Sequence, residues 1–185
     1  MQSFEGHWRK FYPNAQGPTG WMMRRSGAVH WLRFHSLPQS KRYAETEAER
    51  RVLLARQNAL AYAVLGHSDC WLVQTCWVAS SQEQKPSPNY PFEFSFEFLA
   101  DEGDDDDHPW KVYASAQTWG RGTFDNLLLA IANDDIRDTI WLSCETGAVF
   151  APYDGGVDLF LPTQSQIETL KAEHRDWLSP HPDGL

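Results

Sequence analysis

One stretch has the densest mix of functional side chains: HWLRFHSLPQSKRY, residues 30–43. Arg33, His35, Ser36, Lys41 and Arg42 together could form an anion pocket. Guanidinium and ammonium groups bind phosphate or carboxylate, and a helix beginning just beyond them adds backbone N–H donors. The competing reading pairs Arg33 with a glutamate on the sheet and leaves Lys41 and Arg42 as surface charges, since no glycine-rich phosphate loop accompanies them. A second stretch is APYDGGVDLFLP, residues 151–162, in which Tyr153 and Asp154 precede two glycines. Asp-Gly and Gly-Gly are the dipeptides of two-residue hairpins, whose turns take positive φ, so the spacing predicts two short strands around a turn at 154–156. A turn facing residues 33–42 would add Tyr153 and Asp154 to the pocket.

Other candidate chemistry is weaker. The run Asp101, Glu102, Asp104, Asp105, Asp106, Asp107 lacks the alternating carboxylates, sixth-position glycine and twelfth-position Glu of a calcium loop. It reads as a charged hairpin loop, with Asp104, Asp105, Asp106 and Asp107 as a docking patch for a basic protein partner. His30 and His35 fall on opposite faces of one strand and make poor joint metal ligands. Neither HExxH nor GxSxG occurs, so the sequence implies no metal, no cofactor and no catalytic residue. Cys70 and Cys76, six apart on one strand face, read as core.

These residues need elements to hold them. A strand is expected at about 28–36, then a helix opened by Thr46 with Glu49 as a capping box and closed by Gly66. Its apolar stripe is Val52, Leu53, Ala59, Leu60, Ala63 and Val64, with Gln57 on the polar face. CWLVQTCWVA, 70–79, is apolar on both faces, as a strand covered on two sides would be. FEFSFEF, 92–98, alternates as a half-buried strand and forms a long hairpin with 110–119. A second helix starts at Thr123 and buries Phe124, Leu127, Leu128 and Ile131; a short strand follows at about 139–143. Pro152 cannot donate a ladder bond, which suggests an edge for its strand. A last helix starts at Thr163 with a stripe of Ile167, Leu170 and His174. Residues 1–27 show no periodicity and read as an irregular lead-in. The expectation is α+β: one domain over 1–185, a mostly antiparallel sheet and about three helices.

Composition narrows the function classes. Residues 1–56 hold ten of the sixteen Lys and Arg against four Glu, a charge of +6, while 57–185 carry −15. An acidic body repels phosphate backbones and attracts basic partners, which disfavours nucleic acid. No run of apolar residues reaches the roughly 20 needed to span a membrane. Three cysteines without CxxC spacing suit a reducing, cytoplasmic compartment.

HSLPQSKRYAETEAE at 35–49, Arg56-Gln57-Asn58, APYDGGVDLFLP at 151–162 and WLSPHPDGL at 177–185 make the chain resemble a family of bacterial proteins known only as a domain of unknown function. The resemblance supports a binding role, as in bacterial immunity proteins, and assigns no catalytic residue. The leading expectation is therefore a non-catalytic cytoplasmic immunity protein neutralising a basic toxin. The alternative is an enzyme acting on an anionic small molecule through the pocket at 33–42.

Overall fold

The computed structural model describes residues 3–27, 30–78, 84–99 and 109–178. Its strands are β1 (Trp31–His35), β2 (Asp69–Trp77), β3 (Glu93–Leu99), β4 (Pro109–Thr118), β5 (Thr139–Ser143), β6 (Val149–Tyr153) and β7 (Gly156–Phe160). They form one sheet in the order β1-β7-β6-β5-β2-β4-β3, and every pairing is antiparallel. The helices are α1 (Phe4–Phe11), α2 (Gly20–Arg25), α3 (Glu47–Leu65), α4 (Asp125–Ala132) and α5 (Gln164–Glu173). The class is α+β, with five α-helices among the described residues rather than about three.

The extra helices come from the lead-in. Ser3 and Thr19 cap α1 and α2 through their hydroxyls, and Phe4, Trp8, Met22 and Met23 are buried. Helices of eight and six residues span too few turns for a 3.6-residue period to show in sequence. They explain why β2 is apolar on both faces. Val73, Val112, Ile140, Leu142 and Val149 pack with Phe4, Trp8 and Met23 on one side of the sheet. Leu72, Trp141, Phe150 and Leu159 pack with Leu60, Leu128 and Ile167 of α3, α4 and α5 on the other.

Helix α3 carries its capping box at Thr46 and Glu49 and ends at Gly66, whose φ of 62° is the left-handed region glycine tolerates. Its buried face is rotated from the expected stripe. Val52 is 38% exposed, and Leu53, Leu60, Ala61, Val64 and Leu65 are buried. Gln57, expected on the polar face, is buried too, because its amide donates to Ser36 Oγ at 2.9 Å. A buried hydrogen bond decided the rotation that apolar counting missed.

In β3, the register shifts so that Phe94 faces Tyr113 while Phe96 faces the adjacent residue Val112. One bulge places the two phenylalanines on opposite faces. Phe94 is 56% exposed, whereas Phe96 is buried under Phe4. The single apolar face expected for FEFSFEF is therefore broken at Ser95.

The hairpin at 153–156 forms, with Tyr153 opposite Gly156. Two details differ from expectation. Strand β6 lies inside the sheet, and Pro152 is accommodated because pairing with β5 reaches only Phe150. Neither Asp154, Gly155 nor Gly156 takes positive φ. Gly156 is required for space instead: a Cβ there would stand 2.2 Å from the Phe34 carbonyl oxygen in β1. Gly156→Ala should therefore cost stability at the upper end of about 1–3 kcal/mol, by forcing β1 away from β7. Gly155→Ala, whose Cβ meets the Tyr153 ring edge at 3.2 Å and Arg42 Cγ at 3.8 Å, should cost under about 1 kcal/mol. Denaturant melts of the two variants check the order; equal losses would contradict it.

Candidate functional site

The site begins with a row of three residues. Arg33 in β1, Asp158 in β7 and Ala151 in β6 stand opposite one another in the ladder. Opposite charges directly across neighbouring strands attract. Helix α2 lies over this row closely enough that a Cβ on Gly20 would be 3.3 Å from that of Ala151. It thereby brings Arg24 to the same carboxylate.

Asp158 is 2% exposed and is the centre of the arrangement. Its Oδ1 accepts from Arg33 Nε at 2.9 Å and from Trp31 Nε1 at 3.1 Å, and its Oδ2 accepts from Arg33 Nη2 at 3.4 Å. Arg24 Nε stands 3.2 Å from Oδ2 as an ion pair, but its N–H is not aimed there as a hydrogen bond. Burial pulls the Arg33 pKa down, and the hydrogen bond and charge of Asp158 outweigh it. The Arg33 guanidinium also lies over the Tyr153 ring at 4.9 Å.

Around this centre opens a cleft of about 520 Å³, in the size range of small-molecule sites. At its rim Arg42 binds Asp154 through Nε at 2.6 Å, and the Tyr43 hydroxyl donates to the same oxygen at 3.0 Å. Arg137 binds Asp134 with two hydrogen bonds, at 2.7 and 2.5 Å. Asp138 accepts from Trp21 Nε1 at 3.1 Å. Burial raises its carboxyl from 3.8 to about 6, against the Trp21 hydrogen bond and the charge of Arg137. Asp134 and Asp138 both have positive φ, 66° and 48°, a strained conformation for residues with a Cβ. A second cleft, of about 450 Å³ between Tyr12, His30 and Thr146, lacks carboxylates and guanidinium groups.

Of the residues expected from sequence, Arg33, Arg42, Tyr153 and Asp154 meet in this cleft. The other three do not line it. Lys41 turns to Glu45 and Glu49, at 3.0 and 2.7 Å, where it supports the capping box of α3. Ser36 is buried as the acceptor for Gln57. His35 offers its carbonyl to Arg56 Nη1, and burial, then Arg33, lowers its ring pKa. Asp104, Asp105, Asp106 and Asp107 lie outside the described residues. Sequence reasoning missed Trp21, Arg24, Asp134, Arg137, Asp138 and Asp158. The available signal was Asp158 itself, a lone carboxylate inside the apolar run VDLFLP.

Residues 19–182 match the model of a family described as a domain of unknown function, DUF3885. The chain belongs to the DUF3885 family. The matched region starts at the Thr19 cap of α2 and contains every residue lining the cleft. No curated protein and no solved structure matches the chain. Among the described residues of this DUF3885 protein, no group of His, Cys, Asp or Glu is arranged to hold a metal, and no helix is long and apolar enough to cross a membrane.

Asp158→Asn should cost about 3–5 kcal/mol, because it strands Arg33 without its buried partner. Asp138→Asn should do the opposite. Ionising Asp138 is unfavourable in the folded state, so its contribution falls as pH rises from about 4 through about 6. The Asn variant should match the parent near pH 4 and exceed it by about 2–3 kcal/mol at pH 7–8. Denaturation curves across that pH range check both signs; a difference independent of pH would contradict the assignment to Asp138.

Proposed function

We propose that the protein recognises a small ligand carrying an anionic group, bound in the arginine–aspartate cleft. The observation that supports this reading is the sharing of Asp158 by two guanidinium groups, Arg24 and Arg33. One carboxylate offsets one positive charge, so the pair retains a net positive charge in a chain of net charge −9. Guanidinium groups held in place by carboxylates lose little freedom when they bind a ligand, and their remaining N–H groups suit carboxylate or phosphate oxygens.

The test is a calorimetric titration with acetate and with methylphosphonate. Binding should weaken at least about fivefold in Arg24→Gln, a loss of about 1 kcal/mol. Arg50→Gln, on the exposed side of α3 and paired with Glu47, should leave it unchanged. Absence of binding by both anions, or equal binding by both variants, would overturn the reading.

A second reading, an immunity protein that neutralises a basic toxin, is favoured by the −15 charge of residues 57–185 and the acidic run at 101–107. It predicts a toxin gene beside this one. Replacing Asp104, Asp105, Asp106 and Asp107 with Asn should then slow association with that toxin at low salt and flatten its salt dependence, with stability unchanged. An unaltered on-rate would remove the run from any interface.

A further inference from the structure

Charge in the cleft can be assigned pair by pair. Arg42 is matched to Asp154 and Arg137 to Asp134, one for one. Arg24 and Arg33 share Asp158, which leaves one positive charge over. Asp138 is the converse: its side-chain hydrogen bond comes from the uncharged indole of Trp21, and the nearby Arg137, whose charge acts on it, makes its own ion pair with Asp134. The cleft thus holds one unmatched charge of each sign, and the two do not cancel by contact.

Their separation is set by α2. Trp21 holds Asp138, and Arg24 reaches Asp158; the two positions are three residues apart on one short helix. Side chains spaced i, i+3 are neighbours on a helix face. Arg24, Arg33 and Asp138 all line the same volume of about 520 Å³, so one small molecule in it meets both charges. Tyr153, Pro152, Ile131 and Ile136 line the same cleft, so it has apolar surface for a short carbon chain. An anion alone would leave the Asp138 carboxylate without a cationic partner, and a cation alone would meet the unmatched guanidinium. A ligand with both groups satisfies both ends.

Resting on the reading of the cleft as an anion site, we propose that its ligand is a small zwitterion, with its anionic group against Arg24 and Arg33 and its cationic group against Asp138. An ω-amino acid has this chemistry, and chain length would select among such molecules.

The test compares 4-aminobutanoate, 5-aminopentanoate and 6-aminohexanoate with butanoate and butylammonium, by NMR titration of the full chain. At least one amino acid should bind about tenfold more tightly than butanoate, corresponding to about 1.4 kcal/mol. Asp138→Asn should bring that amino acid down to the butanoate level while leaving butanoate bound, and Arg24→Gln should weaken both. Thermal melts confirm that each variant is folded. Butanoate binding as tightly as every amino acid would overturn the zwitterion proposal and leave the anion reading standing. Binding of no probe at all would overturn both.

Discussion

The Asp158 carboxylate joins three elements, β1, β7 and α2. It accepts hydrogen bonds from Arg33 and Trp31 of β1, sits in β7, and pairs with Arg24 of α2. At 2% exposure an ionised carboxylate is costly unless well supplied with donors. Here it has three hydrogen bonds and a further ion pair. The geometry of β1 at the sheet edge and of α2 over the sheet face follows from meeting that need. So does the shape of the cleft, because Gly20 and Ala151 let α2 approach while Arg24 fixes its position.

The cleft exists because the sheet is covered twice. Helices α3, α4 and α5 complete the larger core, and α1 and α2 cover the other face. Helix α2 has only six residues, and residues of the β6–β7 turn and of the loop after α4 line the cleft with it. Asp134 and Asp138 in this cleft have positive φ, as Gln39 and Ser40 do outside it. Residues held in sparsely populated conformations persist where surrounding structure over-determines them, and such places are often binding sites.

Much of the scaffold was legible in sequence because its signals are local. Thr46 with Glu49 and Gly66 bound α3, and Asp-Gly-Gly marked the β6–β7 turn. Part of the cleft was legible as well: Arg33, Arg42, Tyr153 and Asp154 meet as the charge and turn patterns suggested. What could not be read depends on distant partners. Lys41 and Ser36 looked equivalent to Arg42 until Glu49 and Gln57 engaged them. Gly156 looked like a turn glycine, yet its constraint is the Phe34 carbonyl of another strand. Asp138 carries no motif; its importance comes from burial and from Trp21, 117 residues away in sequence.

The central claim is that Asp158 holds Arg33 in place before any ligand arrives. Solvent exchange of the arginine Nε–H protons, measured by NMR on the ligand-free chain, tests it most directly. The account predicts that the Arg33 Nε–H exchanges far more slowly than that of exposed Arg50, and that Asp158→Asn abolishes the difference. Exchange of Arg33 as fast as that of Arg50 in the parent protein would contradict it.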